Sequence, residues 1–372
     1  MTVVTFILFF LLKIGIGSVS FLKPVDDAFN SFSAMDLFFQ ILHTNQQERL
    51  SEEIIIVDIT DVGPRGDIAA VLNEIADCAP ESIGIDCIFE GVHDDQTGNQ
   101  LLLEAVNGMK DRGIFAKKLI ADSSGVFVWA ASSFFARGSG IKEGYTNLTS
   151  SNNGSPVREF SLFQELNGDQ VLSFPLAVVN QYAGREMDFG SKDLLINYEN
   201  IRFLVLQPDE ILAHQEDIWG KIVLVGGLRE ERDMFPTPIK KKSGLEIHAY
   251  AISTLLHGEL RYSPCWFNWL LAVLLCYFFI VNIEHSCRTV QKRSIFLMEL
   301  DSTTGTLYTV WSIVLCFISY ILFAKFNYCL DAAFIFVVLA LAPLARKLVK
   351  ASILSLSSRG VKSFPIKGSL YE

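Results

Sequence analysis

The stretch EEIIIVDITDVGPRGDIAAVLNEIADCAPESIGIDCIFEG, residues 52–91, decides the fold. It opens with a β-rich apolar run at 52–60 that ends in the breaker cluster DVGPRGD. Residues 67–78 then show apolar side chains at helical spacing, and a second apolar run at 81–91 predicts a buried strand. The order strand, helix, strand predicts two parallel, adjacent strands that are joined by a right-handed crossover.

Later segments extend this unit into a mostly parallel sheet that is covered by helices. A helix at 99–113 leads to a third strand at 125–133, and further strands are predicted at 194–198 and 221–227. Residues 138–158 are rich in Gly, Ser and Asn, which is typical of a long loop or a loose hairpin. The predicted fold class of this part is therefore α/β.

The composition indicates that this domain is attached to a membrane. Half of the 372 residues are hydrophobic, yet the formal net charge is −10, a combination that is unusual for a soluble domain. The apolar residues are concentrated at 3–22, 266–283, 306–324 and 329–345, and about 20 apolar residues are needed to cross the hydrocarbon core as a helix. We therefore predict one N-terminal and three C-terminal transmembrane helices in contact with the lipid bilayer.

The acidic balance gives no reason to expect nucleic-acid binding, since phosphate contacts need clustered Lys and Arg.

The N-terminal apolar segment is open to two interpretations. It is either an uncleaved helix that acts as a signal anchor, or a signal peptide that is cleaved at SVS, residues 18–20. No Lys or Arg precedes the apolar run and Lys13 interrupts it, which fits neither pattern; a start codon assigned too late would explain this. We expect the uncleaved helix.

Basic residues outside the apolar segments predict the orientation, because Lys and Arg accumulate in cytoplasmic loops. The loop between the second and third helices and the C-terminal tail are basic, whereas the loop between the third and fourth helices has only Lys325. This predicts a multi-pass inner-membrane protein with its large domain extracytoplasmic (periplasmic) and its C-terminus cytoplasmic. The basic residues are Arg288, Lys292 and Arg293 in the loop, and Arg346, Lys347, Lys350, Arg359, Lys362 and Lys367 in the tail.

The predicted organisation has four parts. Residues 1–22 form the N-terminal transmembrane helix or signal anchor, 23–262 the extracytoplasmic domain, 263–345 the three transmembrane helices and 346–372 a short basic cytoplasmic tail.

Of the seven cysteines, only Cys78 and Cys87 lie in the extracytoplasmic domain. They are either free thiols, with Cys87 as a small buried hydrophobe, or partners in a disulfide in an oxidising compartment.

Two carboxylates end or interrupt the strands of the opening stretch, namely Asp58 and Asp86. In parallel α/β sheets, ligands bind in the crevice outside the carboxyl ends of the strands. Together with Arg65 in the following loop, these carboxylates are candidates to bind a cation or a polar small molecule. The alternative is a structural role, in which they cap helices or pair with one another, since a buried carboxylate needs a partner in either case.

The order of segments resembles the type-2 CHASE domain, an extracytoplasmic sensor domain that precedes histidine kinases and nucleotide cyclases in bacteria. The resemblance covers nearly the whole chain and implies a sensory role for the domain at 23–262. Thr60 stands where the family usually has the second aspartate after the first strand, with Asp61 displaced by one position. Family members often continue into an output domain, and we expect this chain to lack one because only the tail at 346–372 follows its last helix. The matching segments are AMDLFFQILH, IIIVDIT, GPRGDIAAVLNEIADCAPESIGIDCIFEG, GSPVREFSLFQELNGDQVLSFPLAVV, LLINY, WGKIVLVGG, DMFPTPI and SGLEIHAYAISTLLHG.

The last of these segments contains two histidines, His248 and His257. Nine positions apart on a helix, they point to opposite sides and cannot bind one metal ion together. The stripe Leu245, Ala249, Ile252 and Leu256 predicts that the helix packs on the sheet. The family resemblance makes His248, near the strand ends, a further candidate site residue.

We expect a sensory or interaction module of signal transduction and not an enzyme. No pairing of a nucleophile with a base and no metal or cofactor motif stands out in the sequence, so no catalytic residue, metal or cofactor is predicted. The expected partner is a separate signalling or membrane protein that receives the signal in trans, or a second copy in a homodimer. The alternative is a structural or assembly factor for another membrane complex that binds no ligand.

Overall fold

A computed structural model of the protein describes residues 1–18, 34–45, 47–92, 94–136, 140–148, 155–189, 191–258, 260–291, 298–330 and 332–358. Several predictions concern residues outside these ranges: the end of the SVS cleavage site, Lys292, Arg293, Arg359, Lys362, Lys367 and part of the loop at 138–158. The chain divides into two compact units, Asp36–Arg261 and Met1–Met35 together with Tyr262–Glu372.

The described elements are numbered in chain order. The helices are α1 Thr2–Ser18, α2 Ala34–Asn45, α3 Arg65–Asp77, α4 Gln96–Gly108, α5 Phe174–Ala183, α6 Gln215–Ile218, α7 Gly244–His257, α8 Cys265–Gln291, α9 Met298–Phe326 and α10 Ala332–Ser358. The strands are β1 Arg49–Asp58, β2 Ser82–Ile85, β3 Gly113–Ala121, β4 Phe127–Ala131, β5 Lys142–Tyr145, β6 Glu159–Ser161, β7 Phe163–Leu166, β8 Asp169–Leu172, β9 Asp193–Leu195, β10 Ile201–Leu206, β11 Ile222–Gly226, β12 Met234–Phe235, β13 Lys242–Ser243, β14 Arg261–Tyr262 and β15 Tyr328–Cys329.

The unit Asp36–Arg261 is built on a seven-stranded, mostly parallel sheet of order β10-β1-β11-β2-β3-β4, with β5 also paired to β3. This confirms the predicted α/β class. The expected adjacency of the first two strands is wrong, because β11 lies between β1 and β2 and pairs in parallel with both. Sequence neighbours often pair, but here a strand from more than 130 residues later is inserted between them.

Strands β3, β5 and β10 of the sheet were not predicted. β3 begins at Gly113, where the predicted helix ends, β5 lies inside the predicted loop or hairpin, and β10 lies at the edge beside β1. The segment predicted as the third strand corresponds to β4, which is the fourth strand and runs antiparallel to β3. The segment at 194–198 overlaps β9, which pairs with β6 outside the central sheet. Charged residues in β3, such as Lys117 and Lys118, interrupt the apolar pattern that identifies a strand.

Helices cover both faces of the sheet. One face packs against α3 and α4 through a core of buried aliphatic side chains, including Leu72, Ile75 and Leu102. On the other face α5 packs against α7 and approaches β2 closely at Gly84. A Cβ at Gly84 would lie 2.8 Å from side-chain atoms of both Leu224 and Phe174. The absence of a side chain at Gly84 therefore sets the distance between α5 and the sheet.

The second unit consists mainly of apolar helices. Its candidate membrane spans are Cys265–Ser286 in α8, Thr304–Phe326 in α9 and Ala332–Ile353 in α10, and the apolar part of α1, Thr2–Lys13, is shorter than these three. Pro343 lies inside α10, which continues through it to Ser358. An ion pair joins α8 to α10, with Arg346 Nε 2.6 Å from Glu284 Oε1.

Candidate functional site

The carboxyl ends of β1, β11 and β2 form a crevice in which two predicted site residues flank a glycine. Asp58 at the end of β1 is in register with Gly226 of β11, and on the other side the Asp86 backbone N–H donates to the Val225 carbonyl at 2.8 Å. A Cβ at Gly226 would lie 3.4 Å from Asp86 Cβ. The inserted strand therefore separates the two carboxylates by a backbone with no side chain at Gly226. The Leu245 side chain packs against this glycine, with its Cδ2 3.2 Å from the position of an added Cβ.

Asp58 is committed to contacts within the protein. Its carboxylate accepts hydrogen bonds from the Thr60 backbone N–H at 2.9 Å and from the Thr60 hydroxyl, and its Oδ2 lies 3.1 Å from Arg229 Nε. Burial of the Asp58 side chain favours a raised pKa, but the Thr60 and Leu228 hydrogen bonds and the Arg229 charge outweigh burial and lower it. Asp58 is thus an ionised anchor that holds the loop after β11. Thr60 contacts the same loop, since its hydroxyl accepts a hydrogen bond from the Leu228 backbone N–H at 3.0 Å.

Asp86 lies in a different electrostatic environment. It is half-buried, and burial together with the nearby charge of Glu230 raises its pKa to about 7. Burial, and the charges of Asp86 and Glu230, also raise the pKa of Asp233. The three carboxyl groups repel one another when ionised, so the cluster takes up a proton or a positive ligand favourably. We call Asp86, Glu230 and Asp233 the acidic crevice.

Helix α7 begins at the acidic crevice. Ser243 caps the helix in a capping box with Glu246, and the Gly244 backbone N–H donates to Asp233 Oδ2 at 3.0 Å. His248, one turn further on, is buried with its ring edge against Phe174. Burial lowers the pKa of His248 to about 4, although Asp233 and the Thr146 backbone act in the opposite direction. His248 is therefore neutral and lies beneath the crevice as a polar neighbour of Asp233.

Arg65 is not brought to the crevice. It lies at the start of α3, where its guanidinium donates to the carbonyls of Glu90 and Gly91 at 3.0 and 2.9 Å and to the Asn99 side chain. It also stacks 4.9 Å from the centre of the Phe134 ring. All these partners lie in the loop after β2 and in neighbouring elements, so Arg65 fastens that loop to α3 and α4.

Three side chains of this region were not predicted, namely Arg229, Glu230 and Asp233. All three follow β11: Arg229 and Glu230 lie between the segments WGKIVLVGG and DMFPTPI, and Asp233 is the first residue of the second segment. Their signal in the sequence is a run of charged residues directly after a buried strand, which marks the crevice edge only once β11 is placed in the centre of the sheet.

The acidic crevice offers carboxylate oxygens as hydrogen-bond acceptors. Among the described residues, no group of three or more His, Cys, Asp or Glu side chains is arranged to hold a metal ion. Cys78 and Cys87 are both free thiols, and burial next to Asp86 and Glu230 raises the pKa of Cys87 to about 12. A thiol of this kind is a buried hydrophobe and not a nucleophile.

A mostly parallel α/β domain, followed in the chain by three helices that are long and apolar enough to cross a membrane, is the architecture of a membrane-attached domain. The family model of the CHASE2 domain matches residues 3–283, and the chain belongs to this family of sensory domains. A comparison with curated proteins gave no match, and a comparison with solved structures gave none either.

Proposed function

We propose that the chain is a non-enzymatic membrane sensor whose acidic crevice receives the signal. The observation that carries this proposal is the direct link between the crevice and α7: Asp233 belongs to the acidic crevice and also accepts the first hydrogen bond of the helix, from Gly244. A proton or a cationic ligand that neutralises the crevice changes the charge on Asp233. The start of α7 is therefore sensitive to occupancy of the crevice.

The proposed signal then follows the chain from α7 into the membrane part. α8 begins at Cys265, soon after α7 ends at His257, so a displacement of α7 is passed on along the backbone. In this proposal the domain is extracytoplasmic, in a bacterial periplasm, α1 is an additional N-terminal membrane helix, and the C-terminus is cytoplasmic. Basic residues in the cytoplasmic segments support this orientation.

The proposed receiver of the signal is a separate membrane or signalling protein in trans, or the partner copy in a homodimer. Crosslinking of the native protein in cells, followed by pull-down, tests this part of the proposal. Recovery of a kinase, a cyclase, another membrane protein or the chain itself is the expected result, and recovery of soluble cytoplasmic proteins alone would contradict it.

Ligand binding at the acidic crevice is tested with the full chain in lipid nanodiscs. Thermal unfolding is measured with a panel of inorganic cations, anions and small polar metabolites, for the wild type and for Asp86→Asn. We expect a cationic member of the panel to raise the unfolding temperature of the wild type and to have a smaller effect on the variant. Asp111→Asn, which removes an exposed carboxylate elsewhere in the domain, is the matched control.

Two results would contradict a sensory crevice. One is a panel in which no compound and no change of pH alters the unfolding of the wild type more than that of Asp86→Asn. The other is stabilisation by anions, which an acidic crevice repels. Either result would favour the alternative of a structural or assembly factor that binds no ligand.

A further inference from the structure

A cavity lies at the opposite end of α7, where β1 departs from regular pairing. Residues 49 and 50 of β1 pair with residues 201 and 202 of β10, and pairing then resumes between Ile55 and Leu204. Four residues of β1, 51–54, thus stand against one residue of β10. Irregular pairing is common at sheet edges and next to functional sites, and here a cavity of about 160 Å³ lies beside it. Its lining is Arg49, Leu50, Ser51, Glu52, Glu53, Ile201, Ser253 and His257.

Ser253 supplies a polar group with nothing to bind. Ser253 is only 3 % exposed, and it lines the cavity. Its hydroxyl has no hydrogen-bond partner among the described residues. By contrast, the hydroxyl of the neighbouring Thr254 donates to the Tyr250 carbonyl at 2.8 Å. The Ser253 hydroxyl is not among the fully enclosed unpaired polar atoms of the described residues, which are Glu143 Oε1 and Ser312 Oγ. It therefore opens onto the cavity, where a polar group of a ligand or a water molecule completes its hydrogen bonding.

The charges around the cavity favour a cation. Glu53 Oε2 lies 3.2 Å from His257 Nε2, an imidazole that is charged only when protonated, and Glu52 is exposed at the rim. Arg49 is the one permanent cation of the lining, and its charge is offset by Glu199 at 3.4 Å, outside the cavity. The lining therefore carries two carboxylates, Glu52 and Glu53, and its one permanent cation is paired with a carboxylate.

We propose that this cavity binds a small organic ammonium ion. The ammonium group donates hydrogen bonds to the Glu53 carboxylate and to the Ser253 hydroxyl oxygen. An ammonium group has three N–H donors, whereas an alcohol has one donor and a carboxylate has none. The apolar part of the ligand packs on Leu50 and Ile201. Because a cavity of about 150 Å³ accommodates a benzene molecule, the expected ligand has roughly five to eight non-hydrogen atoms. This site is separate from the acidic crevice and does not depend on the function proposed for it.

The probe for this site is n-butylammonium, with 1-butanol and butyrate as neutral and anionic molecules of the same length. Binding is measured by isothermal titration calorimetry on the full chain in lipid nanodiscs. We expect n-butylammonium to bind with a millimolar or lower Kd, and the other two at least roughly tenfold more weakly, because a charge-assisted hydrogen bond is lost.

Two variants locate the binding. Glu53→Gln should weaken n-butylammonium binding roughly tenfold and Ser253→Ala roughly fivefold, as expected for loss of a charged and a neutral hydrogen bond. Ser253→Ala removes no hydrogen bond to any described residue, so it tests the site even if Glu53→Gln disturbs the His257 contact. Glu216→Gln, the same change of charge at an exposed position on α6, should leave the affinity unchanged.

The proposal is overturned by any of three results. These are absence of heat from n-butylammonium up to about 10 mM, equal or tighter binding of butyrate or 1-butanol, or wild-type affinity in both Glu53→Gln and Ser253→Ala. If Asp86→Asn abolishes binding while the two cavity variants do not, the amine binds in the acidic crevice, and the cavity proposal is wrong while the crevice proposal stands.

Discussion

Replacing Asp86 by asparagine should remove a large part of the pH dependence of stability. Burial and Glu230 raise the pKa of Asp86 from 3.8 to about 7, so between these values the folded protein holds a proton that the unfolded chain releases. A group with a raised folded-state pKa contributes stability at low pH, and that contribution is lost as the pH rises through the folded value. The wild type should therefore lose stability between about pH 5 and about pH 8.

The size of this loss follows from the two pKa values. The difference between the pKa of Asp86 in the unfolded chain and in the folded protein corresponds to about 4 kcal/mol of unfolding free energy in total. About 3 kcal/mol of this loss falls between about pH 5 and about pH 8. For a domain of this size it corresponds to roughly 5 to 10 °C in unfolding temperature. The asparagine side chain of the variant does not titrate, so the stability advantage of Asp86→Asn over the wild type should be about 3 kcal/mol larger at about pH 8 than at about pH 5, where about 1 kcal/mol of the loss has already occurred.

Urea unfolding of the full chain in nanodiscs at both pH values, followed by intrinsic fluorescence, measures this difference. Asp111→Asn is the control, and it should keep the pH dependence of the wild type. Equal pH dependence in the wild type and Asp86→Asn would refute the reasoning, because it would show that the Asp86 carboxyl group is ionised in the folded state throughout this range.

Three further predictions concern stability. Arg65→Met should destabilise the domain by about 3 kcal/mol in urea unfolding, because the carbonyls and the side-chain amide that it binds are left without a donor. If Arg65 only holds the loop after β2, Arg65→Met should not change the affinity of ligands for the acidic crevice. Gly84→Ala should cost about 1 to 3 kcal/mol through overpacking, whereas Gly63→Ala, where an added Cβ meets nothing within 4 Å, should cost less than the Gly84 change. Glu284→Gln should destabilise the membrane helices by about 3 kcal/mol in detergent unfolding, because Arg346 loses its carboxylate. The double reversal Glu284→Arg with Arg346→Glu should restore most of this loss.

The sequence contains enough information to predict the strand and helix types of the opening stretch but not the order of strands. Hydrophobic runs identify β1, α3 and β2 because each is buried on the sheet. Nothing in these runs indicates that β11 enters between β1 and β2, since pairing depends on contacts between residues far apart in the chain. β3 was missed for a different reason: its second half faces solvent in part, and Lys117 and Lys118 break the apolar pattern.

Only part of the candidate site could be predicted, because the rest also depends on contacts between residues far apart in the chain. Asp58 and Asp86 were predicted as candidates because they follow apolar runs, and the rule for parallel sheets places such residues at one edge, where the structure has them. Their different roles depend on Arg229 and Glu230, which lie about 170 and 140 positions further along the chain and reach the crevice only through the central position of β11. Arg65 was misplaced because its distance in sequence from Asp58 is short, whereas its side chain turns towards the loop after β2.

Helix α7 joins the two ends of the domain and gives the crevice and the cavity a common element. Its first backbone N–H is bound by Asp233, its last residue, His257, contacts Glu53 at the cavity, and the side chains from Leu245 to Leu255 are almost all buried. The close-packed interior around such a helix resists local deformation. If the two proposed sites both act through α7, the coupling between them is reciprocal, so a ligand at one site would change the affinity of the other by the same factor. Under the proposed function, α8 would receive a displacement of α7 from either end, because α8 follows α7 in the chain.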